Sequence, residues 1–218
     1  APDHALVPRA QVDAFVAAVS ATVVRCYPEL RTTPDYTTIV NARQFERLCT
    51  YLEEARAAGA RLVNLGGFEP DAATRRFPPV LVLDARPDLA VMRDEIFGPI
   101  LPIVPYGTLD EAIEYVDARP RPLALYVFAR ERREIDAVLD RTTAGGVTVN
   151  DTILHVAQDD LPFGGVGPSG MGRYHGRDGF ETFSNRKGVF RQSRLNGMGL
   201  FRPPYGKRFE SLVRLLIR

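Results

Sequence analysis

The chain has 218 residues, 45% of them hydrophobic, and it carries 28 basic side chains against 27 acidic ones. This balance is typical of an ordinary globular protein, long enough for one large domain or for a domain with an appendage. No stretch approaches the roughly 20 apolar residues that span a bilayer, and two cysteines without disulfide or CxxC spacing indicate a reducing compartment, so we expect a cytoplasmic protein.

Two amphipathic helices are predicted in the first sixty residues. Apolar residues recur at i, i+3, i+4 and i+7 in each, which places them on one helical face. The first helix follows a short apolar run at residues 4–8 and presents Val12, Phe15, Val16 and Val19. The second covers about residues 41–58 and presents Phe45, Leu48, Leu52 and Ala55. Gly59 then breaks the pattern, and residues 60–67 read as a strand that ends in a Gly-Gly turn.

Strands and helices then alternate along the middle of the chain. Residues 78–85 and 99–106 are continuous apolar runs, as expected of strands buried on both faces. Thr108 and Glu111 form a capping box that opens a helix, and this helix buries Leu109, Ala112, Ile113 and Val116. A strand at 123–129, a helix at 132–141 and a strand at 145–150 follow. The alternation predicts an α/β fold with a mostly parallel sheet and amphipathic helices.

A glycine-rich segment at residues 161–176 contains a formal G-x-G-x-x-G, from Gly165 to Gly170. A dinucleotide fingerprint needs a strand before it and a helix after it. Here Pro162 precedes the pattern, Pro168 interrupts it, and no βαβ unit follows. We therefore predict a tight ordered loop in which the backbone approaches something closely, not a phosphate cradle.

No other constellation of reactive side chains stands out. His4, His155 and His175 lack metal-ligand spacing, so no metal site is predicted. Cys26 and Cys49 lie at or near amphipathic helices, where free cysteine usually serves as a small apolar residue and not as a nucleophile.

The C-terminal segment is basic. Residues 173–218 carry 11 basic and 3 acidic side chains, and Phe209, Leu212, Val213 and Leu216 lie at helical spacing among them. A basic amphipathic helix of this length can lie on an anionic membrane surface, or it can pack on a partner subunit, which we favour. Nucleic-acid binding is not expected, because no recognisable module is present.

Three motifs in order carry a family resemblance. The segments DEIFGPILPI (residues 94–103), AGGVTVND (144–151) and LPFGGVGPSGMGRYHGRDGFETFSNRKGVF (161–190) resemble the aldehyde dehydrogenase superfamily. Within it, SGMGRYHGRDGFETFS (169–184) is most similar to the branch that acts on coniferyl-type and medium- or long-chain aldehydes.

The resemblance implies roles for five residues. Glu95 would hydrogen-bond the ribose beside the nicotinamide of NAD or NADP, and Phe97 would pack at the same end of the cofactor. Phe163 would pack on the aldehyde, with His155 and Asn150 as further walls of the aldehyde channel.

The resemblance also implies a mechanism and a place for this chain in it. The family's nucleophilic cysteine would lie two residues before Ala1, and its general-base glutamate and Rossmann domain would also lie upstream. In the implied mechanism that cysteine attacks the aldehyde to form a thiohemiacetal, hydride passes to NAD or NADP to leave a thioester, and water activated by the glutamate releases the acid. We therefore expect the C-terminal half of an enzyme, inactive alone, whose partners are its N-terminal half and further copies in a homodimer or larger oligomer.

Three regions follow from this interpretation. Residues 1–178 form the catalytic-domain portion, 179–195 an oligomerisation strand, and 196–218 the basic tail. Residues 179–191 are read as an edge strand, since lone edges must be paired or protected. Two alternatives remain open: a catalytically silent oligomerisation or regulatory domain of the same fold, and a basic-tailed protein that binds anionic surfaces.

Overall fold

The computed structural model describes residues 2–217. Its strands are β1 (Ala5–Pro8), β2 (Arg61–Asn64), β3 (Val80–Leu83), β4 (Ile100–Tyr106), β5 (Ala124–Val127) and β6 (Gly146–Val149). Its α-helices are α1 (Val12–Cys26), α2 (Ala42–Ala57), α3 (Leu109–Asp117), α4 (Arg132–Arg141), α5 (Gly176–Thr182) and α6 (Lys207–Leu216). Short 3-10 helices lie at Arg9–Gln11, Ala90–Met92 and Met198–Phe201.

The larger sheet has four strands in the order β1-β4-β3-β2. β4 pairs in parallel with both β1 and β3, while β2 runs antiparallel to β3 at the edge. All four residues of β3 are buried, which confirms the prediction of a strand covered on both faces. β1 is a strand that the sequence pattern did not predict, because four residues are too few to show a periodicity.

Helices cover both faces of this sheet. Successive side chains of a strand point to opposite faces, so Val80 and Val82 join one core cluster with α2, whereas Leu81 and Leu83 join another with α1. The apolar faces predicted for both helices are confirmed, since their residues lie in these two clusters. Cys26 departs from its prediction: it ends α1 in an exposed position, while Cys49 is half-buried against the α2 cluster.

β5 and β6 form a separate parallel two-stranded sheet. Within residues 2–217, three of the four strand pairings are therefore parallel, as predicted, although the strands are divided between two sheets. The predicted capping box is present at the start of α3. Thr108 accepts the Glu111 N–H at 3.3 Å, and the Glu111 carboxylate reaches back to the Gly107 N–H at 2.7 Å.

The strand predicted over residues 179–191 is wrong in its first part. Residues up to Thr182 belong to α5, in which Arg177 and Glu181 form an i,i+4 ion pair at 2.8 Å. Such a pair favours helix, whereas the alternation that suggested a strand is weak. Residues 183–191 have neither helix nor strand, and nearly all of them are exposed.

The basic C-terminal segment forms a helix, α6, as predicted. Phe209, Leu212 and Val213 are partly covered, whereas Leu216 is 70% exposed. Within residues 2–217, no helix combines the length and apolar character needed to cross a bilayer.

Candidate functional site

The residues predicted to contact a cofactor lie on a short irregular segment, residues 94–98, directly before β4. The Glu95 side chain is exposed, and within the described residues its carboxylate has no hydrogen bond or ion pair. Phe97 is 73% exposed and has a positive backbone φ of 50°. A carboxylate without a partner among the described residues and an exposed aromatic ring therefore lie two positions apart on the same segment.

Ile96 fixes this arrangement from between them. Its side chain is 1% exposed and belongs to the α2 core cluster. Its N–H donates to Oδ1 of Asp3 at 2.9 Å. Because the side chain between them is anchored inward, Glu95 and Phe97 project outward.

Contacts from the N-terminus and from α2 hold the same segment. His4 Nε2 lies 3.2 Å from the Met92 carbonyl, and burial lowers the pKa of His4. Arg47 and Tyr51 of α2 bind the backbone and side chains of residues 94–96. Sequence reasoning missed both residues, although their i,i+4 spacing at the border of the apolar face was a usable signal.

The residues predicted to contact an aldehyde lie on and around the second sheet, and two of them meet. The rings of His155 and Phe163 have centroids 5.8 Å apart, and Phe163 stacks on His175 at 5.9 Å. Phe163 is half-buried and exchanges two backbone hydrogen bonds with Tyr174, at 2.9 and 2.8 Å. These bonds fix the backbone of Phe163 within the glycine-rich loop.

His155, predicted as a wall of the aldehyde channel, is buried. It is only 8% exposed, and its Nδ1 lies 2.9 Å from Oγ1 of Thr148, which also accepts the His155 N–H at 3.3 Å. Its Nε2 is buried without a partner among the described residues. A Cβ on Gly146 would lie 2.5 Å from the ring, so the imidazole fills the space that this glycine leaves. His155 thus supports Phe163 from behind.

Asn150 lies at the end of β6 with a φ of 58°. Its N–H donates to the Val127 carbonyl at 2.7 Å, and its Oδ1 accepts the Ala129 N–H at 3.0 Å. The side-chain oxygen therefore ties the ends of β5 and β6 together, and the amide nitrogen and the second lone pair of that oxygen are left to contact a ligand.

The glycine-rich loop is closed upon itself, as predicted. A Cβ on Gly165 would lie 2.1 Å from the Ser169 carbonyl oxygen. The Val166 N–H donates to Oγ of Ser169 at 2.9 Å, and the Gly170 N–H donates to the Gly167 carbonyl at 3.1 Å. Arg173 ties the loop to β6 through the Gly145 carbonyl at 2.8 Å. The N–H groups of Val166 and Gly170 are thus engaged within the loop.

The structure brings the predicted residues together as two groups. Glu95 and Phe97 form one, and His155 and Phe163 form the other. Within residues 2–217 no hydrogen bond, ion pair or aromatic contact joins residues 94–98 to residues 145–176. Burial raises the pKa of the Cys49 thiol, which disfavours the thiolate that a nucleophile needs.

Comparisons with known proteins agree on one family. The sequence model of the family described as the aldehyde dehydrogenase family matches residues 1–189. A probable coniferyl aldehyde dehydrogenase of Pseudomonas aeruginosa is 51% identical over 219 residues, which cover 100% of this chain and 45% of that protein. A 4,4'-diaponeurosporen-aldehyde dehydrogenase of Staphylococcus aureus is 41% identical over 96% of this chain and 45% of its own length.

A solved structure described as the substrate-bound state of Staphylococcus aureus AldH has the same fold. It superposes with a TM-score of 0.83 at 39% identity and covers 99% of this chain and 46% of its own. The chain thus spans a little under half the length of the curated relatives that it matches.

Proposed function

This chain belongs to the aldehyde dehydrogenase family, and on that premise we propose that it supplies one wall of a site that oxidises an aldehyde with NAD or NADP. Residues 94–98 hold the nicotinamide end of the cofactor, and the Phe163 ring contacts the aldehyde. The bound nicotinamide would supply the hydride acceptor for the reaction.

One observation carries the proposal: the unpaired Glu95 carboxylate stands beside the exposed Phe97 ring on an anchored segment. A carboxylate is a strong acceptor for the two neighbouring hydroxyls of a ribose. An aromatic wall limits the positions available to a flat ring and so helps align the donor and acceptor of a hydride. Both side chains are exposed and so accessible to a nicotinamide riboside.

The substrate we propose is an aromatic or a medium- to long-chain aldehyde. Support comes from the named activity of the coniferyl aldehyde dehydrogenases to which the chain is similar and from the half-buried Phe163 ring. His155 keeps that ring in place from the buried side, and Asn150 offers its amide nitrogen.

We also propose that the chain acts within a homo-oligomer and that residues 183–191 contribute to the subunit interface. Phe183 is 88% exposed and Phe190 is 87% exposed, which supports burial of this segment against another subunit. The tail helix α6 packs on a partner subunit in this proposal, and contact with an anionic membrane surface is the alternative.

The test is the formation of NADH or NADPH by the full gene product with coniferyl aldehyde, measured for the wild type and for Glu95→Gln. The proposal expects activity in the wild type and a raised cofactor KM in the variant. A folded, oligomeric protein that neither binds a nicotinamide cofactor nor oxidises aldehydes would instead support the silent oligomerisation or regulatory domain.

A further inference from the structure

Arg47, in the second turn of α2, reaches the backbone of the segment that carries Glu95 and Phe97. Its Nη1 donates to the Glu95 carbonyl at 3.0 Å, and its Nη2 donates to the Ile96 carbonyl at 2.5 Å. These residues are 48 and 49 positions away in sequence. The Arg47 side chain therefore hydrogen-bonds two successive carbonyl groups of an irregular segment that is distant in sequence.

Tyr51, one turn further along α2, extends the same contact. Its hydroxyl accepts from Arg47 Nη1 at 2.7 Å and donates to Oδ2 of Asp94 at 2.8 Å. The ring is 4% exposed, and burial is the main reason that the pKa of Tyr51 is raised. Residues 94, 95 and 96 are thus each bound from one face of α2.

The orientation of Arg47 is itself fixed. Its Nε donates to Oε1 of Gln44 at 2.7 Å, and its guanidinium carbon lies 5.1 Å from the centre of the Tyr51 ring. All three nitrogens of the planar group are engaged, so the fork has little freedom to turn away. A guanidinium is suited to this role because its donors diverge in one rigid plane.

The segment needs such a contact because regular structure does not hold it. It lies between the 3-10 helix Ala90–Met92 and β4, and backbone carbonyls outside helices and sheets still require partners. Phe97 also has a left-handed backbone conformation, which costs a non-glycine residue free energy and persists only where the surroundings enforce it.

We propose that Arg47, with Tyr51, is a positioning residue that sets the direction of the Glu95 carboxylate and the Phe97 ring. It touches neither cofactor nor substrate and acts through the Glu95 and Ile96 carbonyl groups. The inference rests on the proposed function in one respect, that Glu95 and Phe97 seat the nicotinamide end of NAD or NADP. The hydrogen bonds from Arg47 and Tyr51 to residues 94–96, called the brace below, do not depend on the proposed function.

The experiment compares Arg47→Lys with a matched control, Arg43→Lys, in the full gene product. Lysine keeps the charge but presents a single ammonium, which cannot hold two carbonyl groups and the Tyr51 hydroxyl in one plane. Arg43 is exposed one turn earlier on α2, and within the described residues it has no hydrogen bond or ion pair. Tyr51→Phe is the second variant, and it serves if Arg47→Lys fails to fold.

The first readout is amide hydrogen exchange of the peptide that covers residues 92–98, measured without cofactor or aldehyde. We expect exchange about tenfold faster in Arg47→Lys, a smaller increase in Tyr51→Phe, and no change in Arg43→Lys or in the amides of β3. Unchanged exchange in both Arg47→Lys and Tyr51→Phe would overturn the brace, whatever the activity.

The second readout is the KM for NAD or NADP against kcat with coniferyl aldehyde. We expect the cofactor KM to rise about tenfold in Arg47→Lys, with a much smaller change in kcat and in the aldehyde KM. If Glu95→Gln raises the cofactor KM and Arg47→Lys does not, the positioning role is wrong and the proposed function stands. If neither variant changes the cofactor KM while exchange still rises, the proposed cofactor contact fails, and the positioning role fails with it.

Discussion

Gly98 lies against Leu48 so closely that a Cβ built on Gly98 would be 2.5 Å from Leu48 Cδ1. Leu48 is fully buried at the centre of the α2 core cluster. The absence of a side chain at position 98 therefore lets α2 approach the segment that bears Glu95 and Phe97. The contact between Gly98 and Leu48 therefore links the packing of the core to the position of Glu95 and Phe97.

Gly98→Ala is expected to lower the free energy of unfolding by about 1–3 kcal/mol, because the added methyl group overpacks a filled core. Leu48→Ala is expected to cost about 2–5 kcal/mol by leaving a cavity. The double variant should lose less than the sum of the two, since the methyl group then enters that cavity. Urea denaturation of all three checks this, and strict additivity would show that the two positions do not share space.

Glu95→Gln is expected to weaken cofactor binding without affecting the fold. A charged acceptor replaced by a neutral one loses about 1–2 kcal/mol, which corresponds to a roughly 5- to 30-fold higher cofactor KM. Unfolding should shift by less than about 0.5 kcal/mol, because the carboxylate has no partner in the described residues. Glu114→Gln, at an exposed position of α3, is the control. A cofactor KM that equals that of the control would contradict the assignment.

Tyr36→Phe is expected to change how stability depends on pH at the alkaline end. Burial is the main cause that raises the pKa of Tyr36 from 10.0 to about 12. The folded state then holds this proton more tightly than the unfolded state does. The contribution of Tyr36 is therefore fully present below pH 10 and is lost as pH rises towards 12.

The measurement is the difference in unfolding free energy between wild type and Tyr36→Phe as a function of pH. At neutral pH the variant should lose about 1 kcal/mol with the 2.8 Å hydrogen bond to the Phe77 carbonyl. This difference should shrink above pH 10, because the phenol ionises in the unfolded wild type before it does in the folded wild type, which stabilises the unfolded state. A deficit that stays constant across this range would mean that the tyrosine is not shifted.

Thr148→Val is expected to destabilise the second sheet by about 1–3 kcal/mol. Valine has the same shape, but it leaves the His155 N–H and Nδ1 without the hydroxyl that they share. Thr143→Val, an exposed substitution just before the sheet, is the control. Thermal unfolding measures the effect, and equal stability of the two variants would show that the hydroxyl contacts of His155 contribute nothing to stability.

Residues 185–191 are expected to exchange their amide hydrogens rapidly when the chain is monomeric. Within the described residues their N–H groups donate no hydrogen bond to the backbone or to a side chain. Exchange should slow at least tenfold in an oligomer that pairs this segment, while the amides of β3 stay unchanged. Strong protection in the monomer would remove the segment from the proposed interface.

Much of the fold was predictable because burial imposes a periodicity on the sequence. The spacing in α1 and α2 and the continuous apolar run of β3 indicated which residues face the core, and those residues lie there. Thr108 and Glu111 could be assigned as a helix start because a capping box is a local interaction. The family motifs likewise singled out Glu95, Phe97 and Phe163 as candidates.

Two features were not predictable from the same patterns. β1 is too short to carry a periodic signal, and its partners in β4 are nearly a hundred residues away. The segment after Gly176 alternates weakly enough to suggest a strand, yet the ion pair between Arg177 and Glu181 accompanies a helix. Local propensity and tertiary context compete at such places.

The sequence by itself determined the fold class, the amphipathic faces and the family, because each depends on the order of residue types along the chain. Only the tertiary structure decided that His155 is buried next to the Phe163 ring and that Arg47 hydrogen-bonds the carbonyl groups of Glu95 and Ile96. Contacts across 48 positions depend on how α2 packs against the sheet and the 3-10 helix Ala90–Met92, and that packing is set by whole surfaces. Linear spacing carries no record of that packing.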